Sequence, residues 1–235
     1  MKTVIKLGGH LFPARLAPET ISAYAETLQT LRKSGQRLVV VMGGGRVARE
    51  YIDAARRLGA SEFACDLIGI EVARLNARLF IARLGEDAYP EPVTSLLDLR
   101  RAFETGKIVF LGGLQPGQST NAVGILSAEA VNADLFINAT DVDGVYTADP
   151  AKDATARKLE TVGTDVLLQM LLANELWAGG YPLFDPVAVK IVERSGIPTR
   201  IIDGRAPTNI VEAVRGTALG TLITPATAPA RRGST

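Results

Sequence analysis

Short apolar segments rich in β-branched residues alternate with helical patterns along most of this chain. Strands that alternate with helices in this way form a mostly parallel sheet covered by helices on both faces. The sequence therefore predicts an α/β fold, a three-layer α/β/α sandwich around a mostly parallel central sheet. The predicted strands are 3–7, 38–42, 108–111, 135–137, 199–202 and 219–223. The predicted helices are 18–31, 47–58, 67–84, 121–131, 166–172 and 186–195.

Length and composition indicate how the chain is divided. Its 235 residues lie within the range that one large α/β domain fills. No segment rich in proline, glycine and serine interrupts the body of the chain, so we predict one domain over 1–224. The segment 225–235 is small and polar and contains two prolines, which is typical of a flexible C-terminal tail.

Charge and cysteine content exclude several classes of partner. Lysine and arginine number 26 against 25 acidic residues, so the net charge of +1 gives no general attraction to nucleic acid or to an anionic membrane. Cys65 is the only cysteine, which excludes an internal disulfide and suits a reducing compartment. No run of 18 apolar residues is present, and the N-terminus leads directly into a predicted strand. We expect a cytoplasmic protein.

Glycine-rich turns follow three of the predicted strands, at 8–9, 43–45 and 112–113. Ligands of open α/β sheets bind beyond the carboxyl ends of the strands, so these turns predict one shared cleft. Glycine amides before a basic helix meet the positive end of the helix dipole, which favours a bound phosphate. Tight strand-to-helix connections are the alternative interpretation of each turn taken alone.

The basic residues near these turns fit phosphoryl chemistry. The chain contains neither a P-loop nor a dinucleotide-binding glycine motif after a strand. Lys6 lies near the end of the first predicted strand, where its ammonium could neutralise a transferring phosphoryl group. Arg49 lies one turn into the helix after the triple glycine, where a guanidinium can bind phosphate oxygens. His10 is the only histidine, and an anion contact and a structural role are both open for it.

Six segments resemble one known family in their order along the chain. The segment DVDGVYTADP is similar to the nucleotide-binding signature of the amino acid kinase superfamily, whose members transfer the γ-phosphoryl group of ATP. Within that superfamily the chain resembles the archaeal-type uridylate kinases over all but its C-terminal tail. The segments are KLGGH, GGGRVAREYI, CDLIGIEVARLNARL, GGLQPGQSTNAVG, DVDGVYTADP and DPVAVKIVERSGI.

The resemblance implies an amino acid kinase-like fold and a set of site residues. It implies Mg²⁺-dependent phosphoryl transfer from ATP to UMP in pyrimidine nucleotide synthesis, by an enzyme that forms homohexamers. Lys6 and Arg49 are the implied catalytic residues. The implied ATP-binding residues are Gly9, His10, Gly45, Arg49, Thr140, Asp141, Tyr146 and Asp149. The implied UMP-binding residues are Gly44, Asp66, Leu114, Gln115, Pro116, Gly117, Gln118, Ser119 and Thr120, and no residue is implied as a metal ligand.

Three residues depart from the pattern of the family. His10 replaces a frequent serine, Asp141 replaces a common asparagine, and Asn121 replaces an aspartate that orients catalytic lysines in many members. An amide cannot supply the charge of that carboxylate. A non-catalytic nucleotide-sensing or anion-storage protein on the same scaffold is therefore one alternative. Isopentenyl phosphate kinase is another, but it would have a histidine soon after the triple glycine, and 46–62 contains none.

Overall fold

The computed structural model describes residues 1–12, 17–150, 152–173, 177–178 and 181–225. Strands of these segments form one large sheet and two small hairpins. The strands are β1 (Lys2–Leu7), β2 (Arg37–Met42), β3 (Val109–Leu111), β4 (Leu135–Thr140), β5 (Val145–Tyr146), β6 (Lys158–Leu159), β7 (Thr161–Gly163), β8 (Trp177–Ala178), β9 (Tyr181–Pro182), β10 (Thr199–Asp203) and β11 (Thr221–Thr224).

Helices connect most of the strands of the large sheet. They are α1 (Pro18–Lys33), α2 (Gly45–Arg57), α3 (Glu62–Leu84), α4 (Leu96–Phe103), α5 (Thr120–Val131), α6 (Thr164–Leu172), α7 (Pro186–Ser195) and α8 (Thr208–Val214). Short 3-10 turns cover Gly9–Leu11 and Gly85–Asp87. Among the described residues, no helix combines the length and the apolar composition that crossing a bilayer requires.

The large sheet has seven strands in the order β3-β2-β1-β4-β10-β11-β7. All neighbouring pairs are parallel except β10 and β11, which are antiparallel. Register places Lys6 between Val41 of β2 and Asn138 of β4, so this lysine lies in the middle of the sheet. The observed sheet confirms the prediction of a mostly parallel α/β fold.

Two apolar cores cover the two faces of the sheet. One core joins Val4 and Phe136 to helices α4, α5, α6 and α7. The other joins Ile5 and Ile137 to helices α1, α3 and α8. Adjacent residues of one strand thus enter opposite cores, as the two-residue period of a strand requires. The arrangement confirms the predicted three-layer sandwich.

Several predicted boundaries differ from the observed ones for local reasons. Helix α3 begins at Glu62 rather than at 67, because the Ser61 side chain accepts a hydrogen bond from the Ala64 amide and caps it. Strand β11 begins at Thr221 rather than at 219, because Gly220 turns the chain with φ of +73°. Helices α4 and α8 and the short strands β5, β6, β7, β8 and β9 were not among the predicted elements. Within the predicted tail, 226–235 lies outside the described residues.

Gly124 allows α5 to lie close to the sheet, and replacing it should lower stability. A Cβ at Gly124 would lie 2.6 Å from the ring of Phe136, which is fully buried. Glycine to alanine within a helix usually stabilises by about 0.5–1 kcal/mol. Here we expect Gly124→Ala to reduce the free energy of unfolding by about 1–3 kcal/mol, the typical cost of overpacking. Urea denaturation measures the difference.

The control for this variant is Ser127→Ala on the same helix. The hydroxyl of Ser127 is buried without a hydrogen-bond partner among the described residues, so its removal should leave stability unchanged or raise it. A Gly124→Ala protein as stable as Ser127→Ala would contradict the close packing of α5 on Phe136.

Candidate active site

A cleft opens at the carboxyl ends of β1, β2 and β4, with a volume of about 230 Å³. The prediction that the glycine turns share one cleft is met, since Gly9, Gly43 to Gly45 and Gly113 all line it. Its floor includes the buried side chains of Lys6 and Asn121. Backbone of the glycine turns and polar side chains therefore line the same cleft.

The turn after β1 and the turn after β2 are in backbone contact. A Cβ at Gly9 would lie 2.1 Å from the nitrogen of Gly45, and a Cβ at Gly43 would lie 2.5 Å from the nitrogen of Gly9. Gly45 also has φ of +70°, a conformation that strains other residues. We call this contact of Gly9, Gly43 and Gly45 the glycine junction. It leaves no room for side chains, so this part of the cleft is lined by backbone.

Helix α2 begins at the glycine junction, and no side chain caps the amides of its first turn. Its first turn contains no acidic residue, and Gly44 at the N-cap makes no side-chain hydrogen bond. Free amides at a helix N-terminus attract anions together with the helix dipole. Arg49 lies one turn along α2 and lines the same cleft. The junction therefore offers backbone donors and a guanidinium to a phosphate.

Lys6 is a buried cation, with 8% of its surface exposed. Burial lowers the pKa of Lys6 to about 8, and the charges of Asp141 and Asp185 partly oppose this shift. The ammonium is still protonated at neutral pH. A cation in so little water interacts strongly with any anion that enters the cleft.

His10 and Asp141, two of the departures from the family pattern, both line the cleft. Burial lowers the pKa of His10, Asp141 acts in the opposite direction, and Arg49 and Lys6 lower it further. The imidazole is therefore neutral at neutral pH. It offers a hydrogen bond without adding another positive charge.

Helix α3 supplies the opposite wall. Asp66, Gly69, Ile70 and Ala73 recur at helical spacing and all line the cleft. A carboxylate oxygen of Asp66 accepts a hydrogen bond from the Gly117 amide at 2.8 Å. This bond fixes the loop after β3 against α3. The wall therefore holds a carboxylate beside a polar loop.

A carboxylate that was not among the predicted site residues, Asp185, lies beside the cleft. Asp185 caps α7 by accepting a hydrogen bond from the Ala188 amide at 2.9 Å. Its other oxygen accepts a hydrogen bond from the hydroxyl of Ser119, which itself caps α5. Its charge also raises the pKa of Lys6. The signal in the sequence was Asp185-Pro186, which predicted the start of α7 and nothing more.

The structure gathers most of the predicted site residues around the cleft, but not all of them. The hydroxyl of Tyr146 instead donates to Asp143 at 2.9 Å, and Asp149 pairs with Lys152 at 3.5 Å. The lining contains Lys6, Gly9, His10, Gly44, Gly45, Arg49, Asp66, Gln115, Gln118, Ser119, Thr120, Thr140 and Asp141. The residues outside it are Leu114, Pro116, Gly117, Tyr146 and Asp149.

Comparisons with known proteins agree with this geometry. The model of the amino acid kinase family matches residues 1–203. A uridylate kinase of Hyperthermus butylicus is 48% identical over 94% of this chain and 97% of its own length. A uridylate kinase of Methanothermobacter thermautotrophicus is 45% identical over 96% of this chain and 100% of its own. The crystal structure of uridylate kinase from Archaeoglobus fulgidus matches with a TM-score of 0.87 and 40% identity, over 95% of this chain and 100% of that one.

The chain therefore belongs to the amino acid kinase family, which makes it a phosphotransferase. Within that family it falls among the uridylate kinases of archaeal origin.

The buried charge of Lys6 should lower the stability of the fold. In the unfolded chain lysine has a pKa of 10.5, whereas folding lowers it to about 8. Below pH 8 Lys6 carries its proton in both the folded and the unfolded state. Burying the charged ammonium then lowers the free energy of unfolding by about 3 kcal/mol, which is the difference between the two pKa values expressed as free energy. Between pH 8 and 10.5 the folded protein loses the proton and the cost disappears. Lys6→Met should therefore raise the free energy of unfolding by about 3 kcal/mol at pH 7 and by much less above pH 10.

Urea unfolding at both pH values measures this difference. Lys33→Met is the control, because Lys33 is exposed at the end of α1 and its removal should change stability by less than about 0.5 kcal/mol. An equal gain for Lys6→Met at both pH values would show that the stabilisation comes from packing and not from the buried charge.

Proposed function

We propose that this protein is a UMP kinase that transfers the γ-phosphoryl group of ATP to UMP and releases UDP and ADP. The observation that carries the proposal is the glycine junction, a backbone floor beside one buried cation and between two polar walls. Two anionic substrates that meet there need close backbone approach and charge compensation at their point of contact. The names of the archaeal relatives support UMP as the acceptor.

Each wall of the cleft is assigned one nucleotide. ATP lies on the side formed by the turn after β1 and the segment after β4. UMP lies on the side of α3, where Gly44 approaches it and Asp66 binds its ribose. The ATP residues are Gly9, His10, Gly45, Arg49, Thr140, Asp141, Tyr146 and Asp149. The UMP residues are Gly44, Asp66, Leu114, Gln115, Pro116, Gly117, Gln118, Ser119 and Thr120.

Lys6 and Arg49 act where the two nucleotides meet. Phosphoryl transfer needs no protein nucleophile, because the acceptor phosphate of UMP attacks the γ-phosphoryl group itself. Negative charge on the equatorial oxygens is stabilised by the Lys6 ammonium, whose burial strengthens the interaction. Arg49 and the free amides at the start of α2 hold the phosphates in line. These groups provide orientation and charge.

ATP-dependent phosphoryl transfer generally uses a divalent metal, and we propose Mg²⁺. Among the described residues, no three histidine, cysteine or acidic side chains gather into a group that could hold a metal ion. Mg²⁺ retains several waters and takes most of its other ligands from substrate phosphates. The cleft therefore fits an ion that enters on ATP, held by phosphate oxygens. When bound, it supplies positive charge to those oxygens.

Two alternatives predict different behaviour. A non-catalytic nucleotide-sensing or anion-storage protein is favoured by Asn121, an amide in the cleft lining at a position where the resemblance implies an aspartate in many members of the superfamily. Such a protein would bind ATP and UMP without turnover. Isopentenyl phosphate kinase is disfavoured, because the only histidine of the chain, His10, follows β1 rather than the triple glycine.

Assembly and location follow from the same proposal. We propose that residues 1–224 form one catalytic domain, and that the protein is a cytoplasmic homohexamer that takes part in pyrimidine nucleotide synthesis. Light scattering, measured as the protein elutes from a size-exclusion column, should give the mass of six 24.9 kDa chains. A mass of one or two chains would contradict the hexamer and leave the assigned reaction unaffected.

The acceptor is tested by a screen of nucleoside monophosphates. ADP formation is measured with ATP, Mg²⁺ and each of UMP, CMP and AMP, and with isopentenyl phosphate. We expect ADP mainly with UMP. Equal or faster turnover of another acceptor would refute the proposal, and tight binding of both nucleotides without ADP would support the sensing protein.

The roles assigned to Lys6 and to Asp66 are tested by a pair of substitutions. Lys6→Ala should lower kcat by about 100-fold or more with a small change in the KM for UMP, because the ammonium acts mainly in the transition state. Asp66→Asn should raise the KM for UMP by about tenfold or more with kcat nearly unchanged, because it removes a charged hydrogen bond to the substrate. Steady-state kinetics separate the two effects.

Glu62→Gln is the control for these variants. It removes a carboxylate from the same helix as Asp66, but Glu62 is exposed and pairs with Arg56. Its kinetics should match the unaltered protein. Similar small effects from Lys6→Ala and Asp66→Asn would show that the cleft is assigned wrongly.

A further inference from the structure

Two buried amides, one in the cleft lining and one beneath it on β4, have one unused end each. Asn121 is 8% exposed and Asn138 is fully buried. Their Nδ2 atoms lie 3.4 and 3.5 Å from the same acceptor, the carbonyl oxygen of Leu183. Both Oδ1 atoms are buried without a hydrogen-bond partner among the described residues. Turning either amide over would place two oxygens together, so the oxygens are the unused ends.

Unused buried acceptors are costly, which makes two neighbouring ones informative. A buried polar atom without a partner has lost its hydration and gained no hydrogen bond in return, and native proteins retain few such atoms. Asn121 and Asn138 contribute two of these to one site. A donor that reaches both oxygens would remove the cost.

Lys6 lies where such a donor is needed. Lys6 and Asn138 are register partners on parallel strands, so their side chains leave the same face of the sheet. Helix α5 covers that face, since a Cβ at Gly124 would lie 3.7 Å from the Cβ of Lys6. Asn121 is three residues before Gly124 and therefore occupies the same face of the helix, one turn closer to the cleft. The stem of Lys6 thus begins beneath Gly124, on the face that carries Asn138, and its Nζ lies 3.5 Å from the position of a Cβ at Gly8, at the cleft end of β1.

The charged groups around Lys6 leave it short of close anionic partners. Those that act on it are Asp141 after β4 and Asp185 at the start of α7, and His10 lies close enough for its own pKa to respond to Lys6. Asp185 already accepts hydrogen bonds from the Ala188 amide and the Ser119 hydroxyl. From β2, the register partner is the apolar Val41. Burial dominates, and the pKa of Lys6 stays near 8.

We propose that Asn121 and Asn138 are a positioning pair whose amide oxygens accept two hydrogen bonds from the Lys6 ammonium when the nucleotides fill the cleft. An ammonium has three donors, so the third remains for the transferring phosphoryl group. Amide oxygens orient the cation and carry no net charge, whereas a carboxylate at residue 121 would offset part of the positive charge of the ammonium. This role rests on the proposed kinase function, and it gives the departure at Asn121 a purpose.

The position of Asn121 is tested by the titration of Lys6 itself, which needs no catalysis. Nζ resonances of ¹⁵N-lysine-labelled protein are followed with pH, and Lys6→Arg assigns the signal. A carboxylate placed within about 4–6 Å of a cation raises its pKa by 1–3 units. Asn121→Asp should therefore move the Lys6 midpoint up by at least about one pH unit.

Ser127→Ala is the matched control for the titration. Ser127 lies on the same helix, is fully buried, and has an unpartnered hydroxyl of its own. Its variant should leave the Lys6 midpoint unchanged. An Asn121→Asp midpoint equal to that of Ser127→Ala would overturn the proposal, because Asn121 would then lie too far from Lys6.

Kinetics test positioning against a merely structural role. Asn121→Ala and Asn138→Ala should each lower kcat by about tenfold or more at pH 7, with less than threefold change in either KM. Asn121→Asp should extend the activity of the enzyme to higher pH, because Lys6 keeps its proton longer. Asn121 borders the cleft, so its variants serve as the test if Asn138→Ala does not fold. Loss of stability with unchanged kcat and pH profile would overturn the pair.

Failure of the proposed function is distinguishable from failure of this inference. If the unaltered protein forms no ADP with UMP, the kinase assignment fails. The Lys6 titration still decides whether Asn121 faces that lysine. If ADP forms and the Asn121→Asp midpoint does not move, the function stands and the positioning pair is wrong.

Discussion

The contact between the turns after β1 and β2 determines how the rest of the site is built. Because a Cβ at Gly9 would lie 2.1 Å from the backbone of Gly45, the two turns must be glycine for the strands to end side by side. That contact starts α2 at the cleft with its amides free, and it places Arg49 one turn away. Every anion-binding group on this side depends on that backbone contact. The three consecutive glycines are therefore a structural requirement of the site.

The second constraint is a cation in a nearly dry position. Lys6 lies on the central strand β1, close to its carboxyl end. Because β1 and β4 are parallel, their carboxyl ends lie together at the cleft. The burial of Lys6 lowers stability and pKa together, so the fold gives up free energy to hold a charge in the cleft. Asn138 leaves the same face of the sheet as Lys6, α5 with Asn121 covers that face, and the charges of Asp141 and Asp185 act on the ammonium. The chemistry that the site offers is a concentrated positive charge with a fixed direction.

Much of the fold was predictable because its signals are local. Long apolar patterns marked the main strands and helices, and glycine pairs marked the cleft. Helices α4 and α8 and strand β7 have eight, seven and three residues, which is too short for a periodic pattern to stand out. The site was less predictable, because Asp185 and Asn138 meet Lys6 only through sheet register and helix packing. Neither relation is visible in sequence spacing. All of the ligand assignments stay predictions, and Tyr146 and Asp149 lie outside the cleft lining.

One carboxylate joins two helix starts that are far apart in sequence. Asp185 accepts a hydrogen bond from the hydroxyl of Ser119, the residue that caps α5. The same carboxylate caps α7. The polar loop that ends at Ser119 is therefore held near its C-terminal end by two carboxylates, Asp66 at Gly117 and Asp185 at Ser119. Because the Ser119 hydroxyl and the Ala188 amide share the Asp185 carboxylate, a displacement of Ser119 would be transmitted to the first turn of α7.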